Sequence, residues 1–347
     1  MIVLHSLPGD LIASIPVLDL ITSQNRPQLL FAILDGVSLG IISQGLLPDP
    51  NRSAVKRQVA SRGVFLIALG LFLSSLNSGV VIILDYYGIF FILALPLLFA
   101  PLKVVATCAV FLAIFGPVVV GLISHLLDGR MIPFVLQQTM SWLFTGQYPA
   151  VTWMAFVLAG LWMIRFGVSR MRPYAALGMA VCALAIQVVL STDPQELHPI
   201  AREIGENSSS GMLAMVLLWA LVAALRPAQG RKWSLRMFRS ISAMGIMPLT
   251  TYSLHVVAMS MLGLVWGIGS LQGWQSFWII LSSSVILAFV FELLLDRGPL
   301  EMLTRWLSSG AALERSMDVP APVDGLLPVD ATGFLRESPI NDNQPRS

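Results

Sequence analysis

The sequence predicts an all-α fold: a polytopic transmembrane bundle of about nine spans with a short amphipathic helix at the inner surface. Three observations predict it. Of 347 residues, 56% are hydrophobic and 12% charged, with a mean hydropathy of +0.79, whereas a soluble domain carries about 25% charged residues. The apolar residues come in runs of about 18 to 25, enough to cross about 30 Å of hydrocarbon at about 1.5 Å per residue. Lys and Arg concentrate in every second connection, the signature of basic loops that resist translocation.

In order, spans are expected at 27–47, 63–76, 79–100, 102–126, 148–166, 174–191, 211–225, 247–268 and 276–295. The second and seventh are short for a crossing and extend into their polar flanks. The connections holding Arg52, Lys56, Arg57 and Arg62, then Lys103, then Arg165, Arg170 and Arg172, then the basic cluster from Arg226 to Arg239, then Arg297 and Arg305 are assigned to the cytoplasm. Those holding Arg26, Arg130 and the acidic stretch 192–210 are assigned to the outside. The C-terminus is then cytoplasmic.

Residues 298–309 place Leu300, Leu303, Trp306 and Leu307 on one helical face, the pattern of a helix lying in the inner interface. Residues 310–347 are rich in Pro, Asp, Asn and Ser and poor in bulky apolar side chains, which predicts a disordered cytoplasmic tail. The chain therefore divides into an outer segment, 1–26, a membrane domain, 27–309, and the tail. No basic n-region precedes the apolar stretches, so the internal spans drive insertion.

A net charge of +2, dispersed among loops, gives no footprint for nucleic acid. Cys108 and Cys182 fall inside apolar runs, where a thiol behaves as a small hydrophobe; neither a disulfide nor a metal site is expected. Phosphate-loop, dinucleotide, zinc-protease and nucleophile-elbow patterns are all missing from the sequence.

Polar groups within spans carry the information, because each charged one costs about 2.5 to 3.5 kcal/mol at a helix centre. Asp35 is mid-span, beside Gly36, Ser38 and Gly40, which permit close helix approach. It reads equally as a carboxylate facing a polar cavity or as a hydrogen-bond partner for a neighbouring helix. Asp85 lies just inside its span and is followed by Tyr86 and Tyr87, a position where tyrosines commonly serve as headgroup-level anchors. His255 shares a helix face with Thr251, whose hydroxyl can orient the imidazole. A histidine held by helix packing is the alternative.

Six stretches, MIVLHSLPGD, RPQLLFAILDGVSLGIISQG, LDYYGIFFILALPLL, TGQYPAVTWMAFVLAGLWMIRFG, PLTTYSLHVVAMS and DRGPLEMLTRWL, resemble in the same order the bacterial relatives of heparan-alpha-glucosaminide N-acetyltransferase. These belong to the transmembrane acyltransferase superfamily. The resemblance implies transfer of an acyl group, usually acetyl from acetyl-CoA in the cytoplasm, to a sugar or other acceptor at the outer side. By it, His5 occupies the slot of the family's histidine and is the general base or transient acyl carrier, with Asp85 and His255 in support.

Asp35, Tyr86 and Tyr87 are the corresponding candidates for substrate binding. Arg57, Arg62 and Arg172 are candidates for the phosphates of CoA, which guanidinium groups bind well. Two departures accompany the resemblance. The family's first helix, before the histidine, has no counterpart ahead of His5, and an outer Pro-His-Ser-Gly-Thr motif is replaced by Ser208 to Met212. A transporter or flippase using Asp35 and Asp85 is the main rival, and a non-catalytic subunit of a membrane complex is the third reading.

Overall fold

A computed structural model describes residues 26–44, 52–76, 78–79, 81–130, 133–192, 198–225, 247–266, 278–279, 281–283, 286, 290 and 298–308. Every regular element among them is helical. In chain order the helices are α1 (Arg26–Gln44), α2 (Arg52–Ser75), α3 (Leu84–Ala94), α4 (Leu102–Leu127), α5 (Phe134–Met140), α6 (Ala150–Phe166), α7 (Pro173–Thr192), α8 (Pro199–Leu225), α9 (Pro248–Trp266) and α10 (Pro299–Ser308). A π-helical turn, Ser141–Thr145, continues α5, and a 3-10 turn, Val168–Arg170, follows α6.

Among the described residues, four helices are long and apolar enough to cross a membrane: α2, α4, α7 over Pro173–Leu190, and α8 over Pro199–Ala224. The pair Phe134–Thr145 and Ala150–Phe166, bent by 52°, makes a fifth if taken as one broken span. The other expected spans fall on shorter apolar helices, on α9, or at 276–295, most of which lies outside the described residues, as do 1–25 and 309–347.

Helix α6 is the centre of the bundle. Every residue from Thr152 to Leu158 is buried, and a helix apolar all round is stable only when enclosed. It packs against α1, α4 and α3, with glycine at the closest points. A Cβ at Gly36 would overlap the Val157 carbonyl oxygen, one at Gly160 the Ile33 carbonyl oxygen, and one at Gly40 the Ile164 side chain. Gly36 meets Val157 and, one turn on, Gly40 meets Ile164, so the contacts advance in the same direction along both helices and α1 and α6 run parallel. Small residues permit this backbone approach, the main attraction between helices that lipid cannot drive together.

Several expectations are corrected. The third span, placed at 79–100, is helical only from Leu84 to Ala94. Gly79 has φ of 72°, outside the helical region for an L-residue, and Pro96 has no N–H with which to continue the helical bonding past Leu95. The connection before α6 contains α5 and the π turn, whose run Phe134–Thr145 is too short and too interrupted by Gln137, Gln138 and Ser141 to register as a span.

The acidic stretch placed in an outer loop is helical from Pro199 onward. Pro at the first helical position is pre-organised for that role, and Arg202 pairs with Glu206 at 3.6 Å, one turn on. The extension of the second and seventh spans into their flanks is observed, to Arg52 and Pro199 respectively.

Helix α10 is fixed to the base of α9 by reciprocal capping. The Glu301 carboxylate accepts the backbone N–H groups of Leu249 at 2.7 Å and Thr250 at 3.1 Å, and the Thr250 hydroxyl. In return the Thr250 oxygen accepts the N–H of Leu300 at 3.2 Å. Both helices begin with Pro, so each cap satisfies donors that have no partner within their own helix.

Candidate functional site

Two interrupted stretches of chain meet inside the bundle. The first is the descent into α3. Ser260 of α9 donates to the Leu76 carbonyl at 2.7 Å, just past the end of α2. Two turns earlier on α9, the Tyr252 hydroxyl accepts the N–H of Ile83 at 3.4 Å. Between Leu76 and Ile83 the chain has therefore turned back alongside α9 by about 12 Å.

Helix α3 consequently begins beside Gly70, where a Cβ would stand 2.8 Å from the Cα of Asp85. That is about 7 Å short of the end of α2. With 11 residues, α3 measures about 16 Å and cannot cross the hydrocarbon alone.

The second interruption is the bend between the π turn and α6. The Gly146 N–H bonds the Ser141 carbonyl at 2.8 Å, closing the π turn, and Pro149 precedes α6. The start of α6 rests on Gly116, where a Cβ would lie 2.9 Å from the Thr152 Cα. Gly116 stands near the middle of α4, so α6 starts level with that helix's midpoint. Non-helical backbone at such depth is tolerated only where protein or a polar cavity surrounds it.

Asp85, 4% exposed, lies where these breaks meet. Trp142 of the π turn donates its indole N–H to Asp85 Oδ2 at 2.8 Å. Oδ1 is buried and has no hydrogen-bond partner. The carboxylate occupies the first turn of α3, where the helix dipole favours negative charge. Among the described residues, the one ion pair joining two of them is Arg202–Glu206, so no described Lys or Arg neutralises Asp85 at contact distance.

Aromatic rings wall the carboxylate. Tyr86 meets Tyr148 edge-on at 5.4 Å, and Tyr148 meets Trp153 edge-on at 4.9 Å, geometries that aromatic quadrupoles favour. The hydroxyls of Tyr86 and Ser141 are 3.4 Å apart, and Tyr87 donates to the Gln28 carbonyl at 3.3 Å. Four of the chain's five tyrosines thus gather here. The expectation of Tyr86 and Tyr87 as headgroup anchors is corrected: they are 7% and 9% exposed within the bundle, because α3 begins inside it rather than at its rim.

The remaining candidates occupy other places. Asp35, on α1, and Arg62, on α2, lie within electrostatic reach of each other but not in contact. Asp35 Oδ2 and Arg62 Nε are each buried without a hydrogen-bond partner. The Arg62 guanidinium lies 5.4 Å over the Phe91 ring, so it is drawn into the bundle rather than displayed on a connection. Arg57 is exposed, and Arg172 is exposed with its guanidinium against Tyr174. His255 is 7% exposed on α9, between Tyr252 and Ser260. His5 lies outside the described residues.

Sequence reasoning missed Trp142, Ser141, Tyr148 and Gln28. The run Gly146-Gln147-Tyr148-Pro149, directly before an apolar stretch, is the turn signal that marks the broken span. The site can accept a hydrogen bond at Asp85 Oδ1, and its tyrosine and tryptophan rings are buried around that carboxylate. No family model, curated protein or solved structure matches the chain.

Proposed function

We propose that this chain is a membrane-bound acyltransferase that moves an acetyl or similar acyl group from cytoplasmic acyl-CoA to a sugar or other cell-envelope acceptor. In this reading it resides in the bacterial plasma membrane with its C-terminus in the cytoplasm. The supporting observation is convergence in space. Asp85, Tyr86, Tyr87, Tyr148, Trp153, Tyr252, Gln28 and the capping Glu301 all come from stretches that carry the acyltransferase resemblance, and all but Glu301 line one site.

In this mechanism the acceptor's hydroxyl or amine attacks the thioester carbonyl, forming the new C–O or C–N bond as the C–S bond breaks. His5 takes the acceptor's proton, as an imidazole can near neutral pH, and the departing thiolate gains a proton to leave as CoA. Asp85 Oδ1 orients the acceptor, and Tyr86 and Tyr148 stack against it. Arg57 and Arg172 are exposed where they can pair with CoA phosphates. Arg62 and Asp35 act deeper in the bundle, on the part of the substrate that enters it.

Purified protein in detergent given acetyl-CoA tests this reading through release of CoA, with the His5→Ala variant beside it. Equal release by both refutes the role of His5. A transporter is the second reading, favoured by one observation: two interrupted segments meeting within the bundle are the usual setting of transport sites. Substrate uptake that depends on Asp35 and persists without acyl-CoA would select it.

A further inference from the structure

Helix α10 turns its apolar side away from the protein. Thr304 is 8% exposed and faces the bundle, and Glu301 reaches α9, while Met302, Leu303, Trp306 and Leu307 are exposed, Trp306 by 72%. At 100° per residue these four form one continuous apolar arc, with the exposed Arg305 at its edge. A helix of this kind on a water-facing surface would bury that arc; here the side turned to the protein is the polar one.

Among the described residues, the helices packed against α10 carry charge of a single sign. It packs against α2, whose first two turns expose Arg52 and Lys56 and contain no acidic residue. An exposed apolar arc with Arg305 at its edge, on a helix packed against a basic one, matches the boundary between acyl chains and negatively charged headgroups. The long helices likewise expose apolar side chains, among them Leu71, Phe72, Leu122 and Leu184.

We propose that the outward face of α10, with Arg305 at its edge and with Lys56 of the helix it packs against, binds an anionic membrane lipid. The four apolar side chains enter the acyl region, and the cations meet the phosphate of the headgroup. The reciprocal cap then carries the lipid's hold on α10 into α9 and so to Tyr252, which contacts the backbone leading into Asp85. The inference stands apart from acyl transfer, since lipid contact does not depend on what the inner site does.

Fluorescence quenching in nanodiscs tests it. A bimane label is placed on Trp306→Cys in the full chain, with Cys108 and Cys182 changed to Ser, and the discs contain equal phosphatidylglycerol and phosphatidylcholine with one or the other brominated. Both brominated lipids should quench the label, and brominated phosphatidylglycerol should do so at least about twofold more strongly. The excess should vanish in the Lys56→Gln, Arg305→Gln double variant.

A label on Leu184→Cys, exposed on α7 away from these cations, should be quenched equally by both lipids and confirms that the discs report correctly. No quenching at position 306 would mean that protein covers the face and would overturn the proposal. Equal quenching by the two lipids at position 306 would overturn it as well, leaving an apolar contact without anionic preference.

Discussion

The packing of α3 against α2 can be broken with one methyl group. Gly70 faces the backbone of Asp85, and an added Cβ would overlap the Asp85 nitrogen and lie 2.8 Å from both its Cα and its Cβ. Ordinary contact begins near 3.4 Å, so α3 must withdraw by at least about 0.6 Å, and no flexible side chain is present to yield instead. Overpacking of this kind costs about 1 to 3 kcal/mol. The displacement also acts on Asp85 itself, whose bond to Trp142 is 2.8 Å long and weakens steeply with distance and misalignment.

Gly178→Ala is the internal control, because no atom lies within 4 Å of the Cβ that it would add on α7. It should be neutral or stabilising by up to about 1 kcal/mol through helix propensity. Unfolding by SDS titration in mixed micelles, followed by circular dichroism, gives both values. A Gly70→Ala protein as stable as the Gly178→Ala protein would refute the close approach of Asp85 to α2.

Further expectations follow from the same contacts. Trp142→Phe removes the one side-chain donor to Asp85 and should cost about 1.5 to 3 kcal/mol in the same titration, with a smaller cost when Asp85 is already Asn. Glu301→Gln weakens three bonds at the start of α9 and should cost about 1 to 2 kcal/mol; combined with Thr250→Ala the losses should be less than additive. Arg57→Ala and Arg172→Ala, both at exposed positions, should change stability by no more than about 0.5 kcal/mol while weakening CoA binding measured by equilibrium dialysis.

Helices that are uniformly apolar were legible in the sequence almost to the residue: 102–126 and 174–191 correspond to α4 and α7. Hydropathy sums over a window, and in these two only isolated polar residues, such as Gln187, enter the sum. The same summing hid α5 and its π turn, where two glutamines and a serine break a 12-residue run. It also credited α3 with a full crossing, because apolar backbone outside a helix and apolar helix score alike.

Asp85 and Asp35 stood out because a carboxylate in an apolar run is costly wherever it points. The tyrosines did not, since Tyr86 and Tyr87 near the start of a span look the same whether the span begins at the membrane surface or inside the bundle. Only the contact of Tyr252 with Ile83, 169 residues apart in the chain, separates these cases. The reach of Arg62 toward Phe91 was likewise invisible, as a basic residue at a helix end serves topology equally well from either direction.

The most direct test of the proposed site is acyl transfer by protein reconstituted in vesicles, comparing the native chain with Asp85→Asn, which keeps the shape and removes the charge. Loss of about 100-fold or more in CoA release, with helical content and acetyl-CoA binding unchanged, is the result expected if this carboxylate positions the acceptor. Transfer at the native rate in the Asp85→Asn protein would contradict it.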